Sequence, residues 1–290
     1  MSKGLTNLFD MMQTHANYTR PFPDQWFHDL TALCQDTALA LKAIASTDPR
    51  LSPDLKADVN NYFNARSYNV AMVPDEVTRA ATDFNSGWLH ALTRMLDSDF
   101  ISPIVIAPLA RAAVENSSLL IYLNSFEPID RCYWGMRALV EKMEYEEEEA
   151  LIPNVYGSLT AAIDIYRAKN RGKKLKYPSN TALVKEQLKE FDGEEIYRVL
   201  STYTHQHAWS AYKHFVFATH NPLSLELRAL SILFDTLAAT DLAARSFSGF
   251  RPERDIQPHL NELQRIAVGR EDLRADWLDW MTENNVAPAP

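Results

Sequence analysis

The segment from Tyr197 to Trp209, YRVLSTYTHQHAW, mixes residue types that carry chemistry with residue types that pack in a core. On a helix, Arg198 and His205 are seven residues apart. That separation is about two turns, or roughly 10.5 Å of rise, so the two residues take almost the same angle. Ser201 falls between them, and Trp209 follows four residues after the histidine. The spacing therefore predicts one polar stripe on one helix face.

A second pair of charged residues stands in the most apolar segment of the chain. Residues 104–123 are apolar around nearly the whole helix circumference, which predicts a central helix buried on all sides. Arg111 and Glu115 lie four residues apart in it and so share a face. Buried charges are tolerable only when they are paired and hydrogen-bonded. We expect these two residues to pair with each other and to meet the Arg198 stripe.

The histidines that follow Ser201 raise the question of a zinc site. Histidines stand at four nearby positions, namely His205, His207, His214 and His220. On one continuous helix only His207 and His214 share a face, and they are two turns apart, whereas helical zinc ligands are usually four residues apart. The sequence therefore predicts no metal site.

A serine hydrolase is the next alternative, because Ser201 and His205 are within reach on one helix face. The chain has no GxSxG elbow, and the interior of a helix offers no free backbone amides for an oxyanion hole. We expect Ser201 to hydrogen-bond a backbone carbonyl or to orient His205.

The elements that must position these residues are helices. Apolar residues at helical spacing recur along the chain, while sustained alternation and Asn-Gly or Asp-Gly hairpins are missing. This pattern predicts an all-α, multi-helix bundle. Ser52 followed by Pro53 indicates one helix start, and Pro74 ahead of two acidic residues indicates another. Near the C-terminus we expect two helices, at 255–267 and 270–284.

We divide the chain into three segments. Residues 1–100 form an N-terminal helical segment, 101–250 a central bundle with the Arg/His stripe, and 251–290 two C-terminal helices with a disordered tail. No Pro/Gly/Ser-rich linker separates the segments, so we do not expect independent domains.

Composition limits the classes of function. The chain is 46% hydrophobic and 23% charged, which is typical of a globular protein. A formal net charge of -9 argues against non-specific coating of DNA, because that mode needs a broad basic surface. Without a signal peptide pattern or a long uncharged apolar run, we expect a cytoplasmic protein that does not bind membranes. We expect the cysteines, Cys34 and Cys132, to be buried free thiols.

Arg198 followed by His205 late in a helical bundle resembles the Arg-x4-6-His motif of the HEPN superfamily, the higher eukaryote and prokaryote nucleotide-binding proteins. The longer pattern resembles a group of uncharacterised bacterial helical proteins, in which an R-x-x-x-E helix, here Arg111 to Glu115, precedes a YR-x-L-S-x-x-x-H helix, here Tyr197 to His205. The resemblance covers about residues 101–220. It implies a HEPN-like central bundle, often dimeric, and for many members a metal-independent RNase of phage defence, stress or RNA processing.

The resemblance also implies roles for individual residues. His205 would serve as general acid or base while the ribose 2′-hydroxyl attacks the adjacent phosphate, and Arg198 would clamp that phosphate. Glu115 and Ser201 would orient these groups. RNA would be held by five basic residues, Arg111 and four in the loop RAKNRGKKLKYPSN: Arg171, Lys173, Lys174 and Lys176. No cofactor is implied, and possible partners are RNA and a second copy of the chain.

Two alternatives stay open on the sequence. Val199 follows the arginine where active members usually carry a polar residue, so the chain can be a non-catalytic interaction or scaffold protein. The polar cluster would then be a satisfied buried network that fixes how the helices pack. The basic loop can likewise be a solvated loop.

Overall fold

The computed structural model describes residues 19–47, 51–65, 69–96, 101–143, 153–173, 175–204, 222–249 and 253–286. These residues form ten α-helices and no β-strand, which confirms the all-α prediction. The helices are α1 Gln25–Ser46, α2 Pro53–Tyr62, α3 Val73–Leu96, α4 Pro103–Asn124, α5 Pro128–Met143, α6 Pro153–Lys169, α7 Asn180–Gln187, α8 Gly193–Thr204, α9 Pro222–Arg245 and α10 Glu253–Glu283. Short 3-10 turns occupy Val70–Met72, Lys189–Phe191 and Ser246–Gly249.

Serine caps begin several of these helices. The Ser52 hydroxyl accepts a hydrogen bond from the backbone N–H of Leu55 at 3.1 Å, and Pro53 takes the first helical position, as predicted. At α7 the Ser179 hydroxyl accepts one from the N–H of Ala182 at 3.3 Å. Each cap satisfies a backbone donor that has no partner inside its helix.

Residues 253–283 form one helix, α10, so the prediction of two helices separated near residue 268 is wrong. Gly269 lies inside the helix, where glycine costs about 1 kcal/mol relative to alanine. The apolar stripe that packs into the core continues on both sides of the glycine at spacings of three, seven and four residues, and this burial outweighs the cost. Its members are Leu263, Ile266, Leu273 and Trp277, all buried.

Helix α4 is the centre of the molecule and packs against α3, α7, α8 and α9. Ala110, Val114 and Leu120 on it are fully buried. Among the described helices it alone is long and apolar enough to cross a membrane by length and composition, with a mean hydropathy of 1.4 in its most apolar window. The core helix of a soluble protein meets the same criteria, so this match is weak support for a membrane span.

Two hydrophobic clusters fill the interior. The larger one takes residues from all three predicted segments, for example Leu41, Val114 and Leu263. The smaller one lies among α2, α5 and α6 and is rich in aromatic rings, with Tyr133 stacked on Tyr166 at 4.0 Å between centroids. The larger core therefore crosses the boundaries drawn at residues 100 and 250, which stay a prediction.

Both cysteines are buried free thiols, as predicted. Cys34 belongs to the larger cluster and Cys132 to the smaller one. Burial raises the pKa of each thiol to about 12, because the charged thiolate loses its hydration. Both groups are therefore thiols at neutral pH.

Candidate functional site

The Arg111 guanidinium is the centre of a polar network between α4 and α8. Its Nε donates to Glu115 Oε1 at 2.8 Å, which confirms the predicted pairing of these two residues. The other two nitrogens reach α8: Nη1 donates to Thr204 Oγ1 at 2.8 Å, and Nη2 donates to the Tyr197 hydroxyl at 2.7 Å. The Arg111 and Glu115 side chains are only 19% and 20% exposed. All three guanidinium nitrogens are thus engaged by the protein itself.

The Glu115 carboxylate joins a third helix to this network. Its Oε1 accepts a hydrogen bond from the Tyr197 hydroxyl at 3.1 Å, and its Oε2 accepts one from Asn180 Nδ2 at 2.8 Å. The Arg111 guanidinium also lies over the Tyr197 ring, 4.9 Å from its centroid, close enough for a cation–π contact. The network therefore fastens α4, α7 and α8 together.

The charges within the network stabilise each other. Burial lowers the pKa of Arg111, but the hydrogen bond and charge of Glu115 outweigh that effect, so the pKa is raised overall. The guanidinium is consequently held in its charged form beside the carboxylate.

Arg198 lies outside this network, so the structure corrects the expectation that it packs against Arg111 and Glu115. Its side chain is 61% exposed and binds Glu195 on the same helix. Nε donates to Glu195 Oε2 at 2.6 Å and Nη2 donates to Oε1 at 2.5 Å. The hydrogen bond to Glu195, followed by its charge, raises the pKa of Arg198.

The rotation of α8 explains this difference. Ile196 and Leu200 are buried and fix the inner face of the helix. Arg198 comes two residues after Ile196, so it points about 200° away from it. Tyr197 and Thr204, which are also seven residues apart, flank the inner face and meet Arg111. The sequence reasoning missed these two residues, although the apolar residues of the helix indicate the correct rotation.

Ser201 does not bond a backbone carbonyl, which is one of its two expected roles, and the other role, orienting His205, lies outside the described residues. Its hydroxyl oxygen is buried and has no hydrogen-bond partner within the structure as described. Thr204 on the same helix does make a bond of this kind, because its hydroxyl donates to Leu200 O, four residues back, at 2.9 Å. Asn180 is a further network residue that the sequence did not indicate.

Several predicted positions lie outside the described residues: His205, His207, Trp209, His214, His220 and Lys174. Across the ranges that the structure does describe, no group of three or more His, Cys, Asp or Glu side chains could hold a metal ion.

The basic loop after α6 is exposed at Arg171, Lys173 and Lys176. Gly172 has a φ of +99°, a left-handed backbone conformation that favours glycine and turns the chain here. Lys173 Nζ lies 4.0 Å from Asp130 Oδ2 and keeps a side chain that is 56% exposed. The loop runs on to Asn180, which binds Glu115, so the chain connects the basic residues to the network.

Comparison of the chain with protein-family models, curated proteins and solved structures gives no match.

Proposed function

We propose that this chain is a helical protein that acts on RNA, with Arg198 as its phosphate-binding residue. The observation that supports the proposal is the exposed guanidinium of Arg198, which holds both oxygens of the Glu195 carboxylate. A planar guanidinium binds two phosphate oxygens through the same two-donor geometry. An RNA phosphate can therefore replace the carboxylate without any change in the helix.

The proposed reaction is metal-independent cleavage of RNA in phage defence or stress, as the HEPN resemblance implies. The ribose 2′-hydroxyl attacks the adjacent phosphorus, and the bond from phosphorus to the 5′-oxygen breaks. His205, seven residues after Arg198, serves as general acid or base: it takes the proton of the 2′-hydroxyl or gives a proton to the leaving 5′-oxygen. Imidazole is suited to this transfer near neutral pH. Arg198 stabilises the negative charge that develops on the phosphate.

The other predicted residues take different parts in this proposal. Arg171, Lys173 and Lys176 contact the RNA backbone as exposed charges. Arg111 and Glu115 act as positioning residues, because their hydrogen bonds engage all three guanidinium nitrogens and hold α8 against α4.

The test is cleavage of mixed RNA by the purified protein in EDTA. We expect Arg198→Ala and His205→Ala to lose about a hundredfold or more of the wild-type rate, the usual effect of removing one group that stabilises a transition state. Arg265→Ala is the control, because Arg265 is 62% exposed and bonds Glu262 three residues earlier in the same manner, with one further bond to Asp36 on α1. Circular dichroism establishes that each variant is folded.

Two outcomes contradict the proposal. One is wild-type protein that neither cleaves nor binds RNA. The other is cleavage that Arg198→Ala and Arg265→Ala leave equally unchanged.

The second candidate is a non-catalytic interaction or scaffold protein. The Arg111 network favours it, because two of the three guanidinium hydrogen bonds described above join α4 to α8. For this candidate we expect no RNA cleavage, together with a clear loss of stability when Arg111 is replaced.

A further inference from the structure

Helix α3 presents an exposed apolar stripe. Phe84 is 61% exposed, more than any other large apolar side chain described. Ala80 and Gly87 are also exposed, and Ala91 is half-buried. These four residues follow one another at spacings of four, three and four, which places them on one face of a helix, as in the contact line of a coiled coil. We call these four residues the Phe84 stripe.

Nothing in the fold of the single chain requires a glycine at position 87. It lies inside a 24-residue helix, where glycine is destabilising relative to alanine. A Cβ added there would meet no atom within 4 Å, so neither backbone conformation nor close packing requires a glycine. The position is an open indentation directly beside an exposed phenylalanine ring.

Opposite charges stand near the two ends of the exposed side of α3. Glu76 and Asp83 are exposed toward its N-terminus and Arg94 toward its C-terminus, while Arg79, which pairs with Asp75 at 3.7 Å, is partly exposed between Glu76 and Asp83. Two antiparallel copies of α3, related by a two-fold axis near residues 85 and 86, would match in both shape and charge. Phe84 of each copy would cover the partner's Gly87, and Glu76 would face the partner's Arg94.

We propose that this face is the self-association surface of the chain, on which a second copy packs its own α3 antiparallel in a two-fold dimer. The surface is self-complementary, which is the requirement for an isologous interface. The small side chains of Ala80, Gly87 and Ala91 allow the two helices to approach closely. The proposal does not depend on RNA cleavage or on Arg198.

Sedimentation equilibrium over a concentration series tests the dimer. We expect wild-type protein to change from monomer to dimer as concentration rises. Phe84→Glu should weaken dimerisation by about thirtyfold or more, as expected when a central buried anchor is lost. Val268→Glu is the control, since Val268 is 51% exposed on α10 and should leave the dimer unchanged.

Gly87→Leu separates association from folding. In the monomer the new side chain has open space and improves helix propensity, so the melting temperature of dilute protein should stay equal or rise. In the dimer the leucine occupies the place of the partner's Phe84, and we expect loss of the dimer.

Charge reversal tests the antiparallel register. In the proposed dimer, Glu76 of each copy faces Arg94 of the other, so the contact occurs twice. Glu76→Arg and Arg94→Glu each turn both contacts into pairs of like charges, and each variant should therefore weaken the dimer. The double variant restores both pairs and should restore most of the association. A monomeric wild-type mass at every concentration would overturn the proposal, as would a wild-type dimer that Phe84→Glu and Gly87→Leu leave intact. Single reversals without effect would overturn the register.

Discussion

Arg111 and Arg198 carry the same charge in opposite environments. Arg111 donates hydrogen bonds from its three nitrogens to three different side chains and is mostly buried, whereas Arg198 binds a single carboxylate at the surface. A pair shielded from water depends strongly on both members, because removing one leaves the other charge desolvated. An exposed pair contributes little, since water and salt screen it. The two arginines should therefore affect stability very differently.

We predict that Arg111→Ala lowers the free energy of unfolding by about 2–4 kcal/mol, because it leaves the Glu115 carboxylate without its charged partner. Arg198→Ala, the matched change on the exposed pair, should cost less than about 1 kcal/mol. Urea unfolding followed by circular dichroism measures both. Equal losses in the two variants would show that the Arg111 network is not a main source of stability.

Asp235 on α9 gives a pH-dependent prediction. Burial raises the pKa of its carboxyl from 3.8 to about 6, and the charges of Arg274 and Arg228 only partly offset that effect. The folded state holds this proton more tightly than the unfolded state does. The stabilisation that the proton gives is therefore fully present below about pH 4 and is lost as pH rises to about 6.

Asp235→Asn should remove this loss. We expect the difference in unfolding free energy between variant and wild type to grow from pH 4 to pH 6, and to reach about 3 kcal/mol in favour of the variant at neutral pH. Urea titrations across this pH range measure the difference. A constant difference between the two proteins would contradict the assignment to Asp235.

At the scale of elements, α8 shows what the sequence could and could not predict. A helix over residues 197–204 and the Arg111–Glu115 pair follow from local spacing, and both were predicted correctly. The rotation of α8 differs from the prediction, because Ile196 and Leu200, and not the polar residues, determine which side of the helix packs inward. The bond from Asn180 to Glu115 joins residues 65 positions apart, and no local pattern indicates such a contact.

A buried hydrogen bond sets how α3 lies along α4. Asn85 Nδ2 donates to Ser117 Oγ at 3.0 Å, and neither side chain is exposed. Replacing Asn85 with alanine should cost about 1–3 kcal/mol, since the serine is left unpaired in the core. In a double-mutant cycle with Ser117→Ala we expect a coupling of about 1 kcal/mol. Strictly additive effects would show that the bond contributes nothing beyond packing.

At the scale of the whole molecule, α4 links the two hydrophobic clusters. Leu120 belongs to the larger cluster, while Leu119 and Leu123 belong to the smaller one, so adjacent residues of one helix serve both. If either cluster loses its packing, the side of α4 that faces that cluster becomes exposed and the helix loses part of its support. We predict a single unfolding transition.

Coincident transitions in far-ultraviolet circular dichroism and tryptophan fluorescence would support this prediction. Trp134 lies in the smaller cluster, whereas Trp26, Trp277 and Trp280 belong to the larger one or pack against it, so the part of the fluorescence change that Trp134→Phe removes reports the smaller cluster. Two separate midpoints would show that the clusters unfold independently.

The alkylation rates of the two buried thiols can report how the interior opens. One cysteine sits in each cluster, and neither can react with an alkylating reagent while its cluster is closed, because the reactive thiolate scarcely forms and the sulfur is shielded. Alkylation rates under native conditions therefore time the spontaneous opening of each half of the interior separately. Identical rates at Cys34 and Cys132 would mean that both clusters open together. The natural cysteines suffice for this measurement, and no engineered residue is needed.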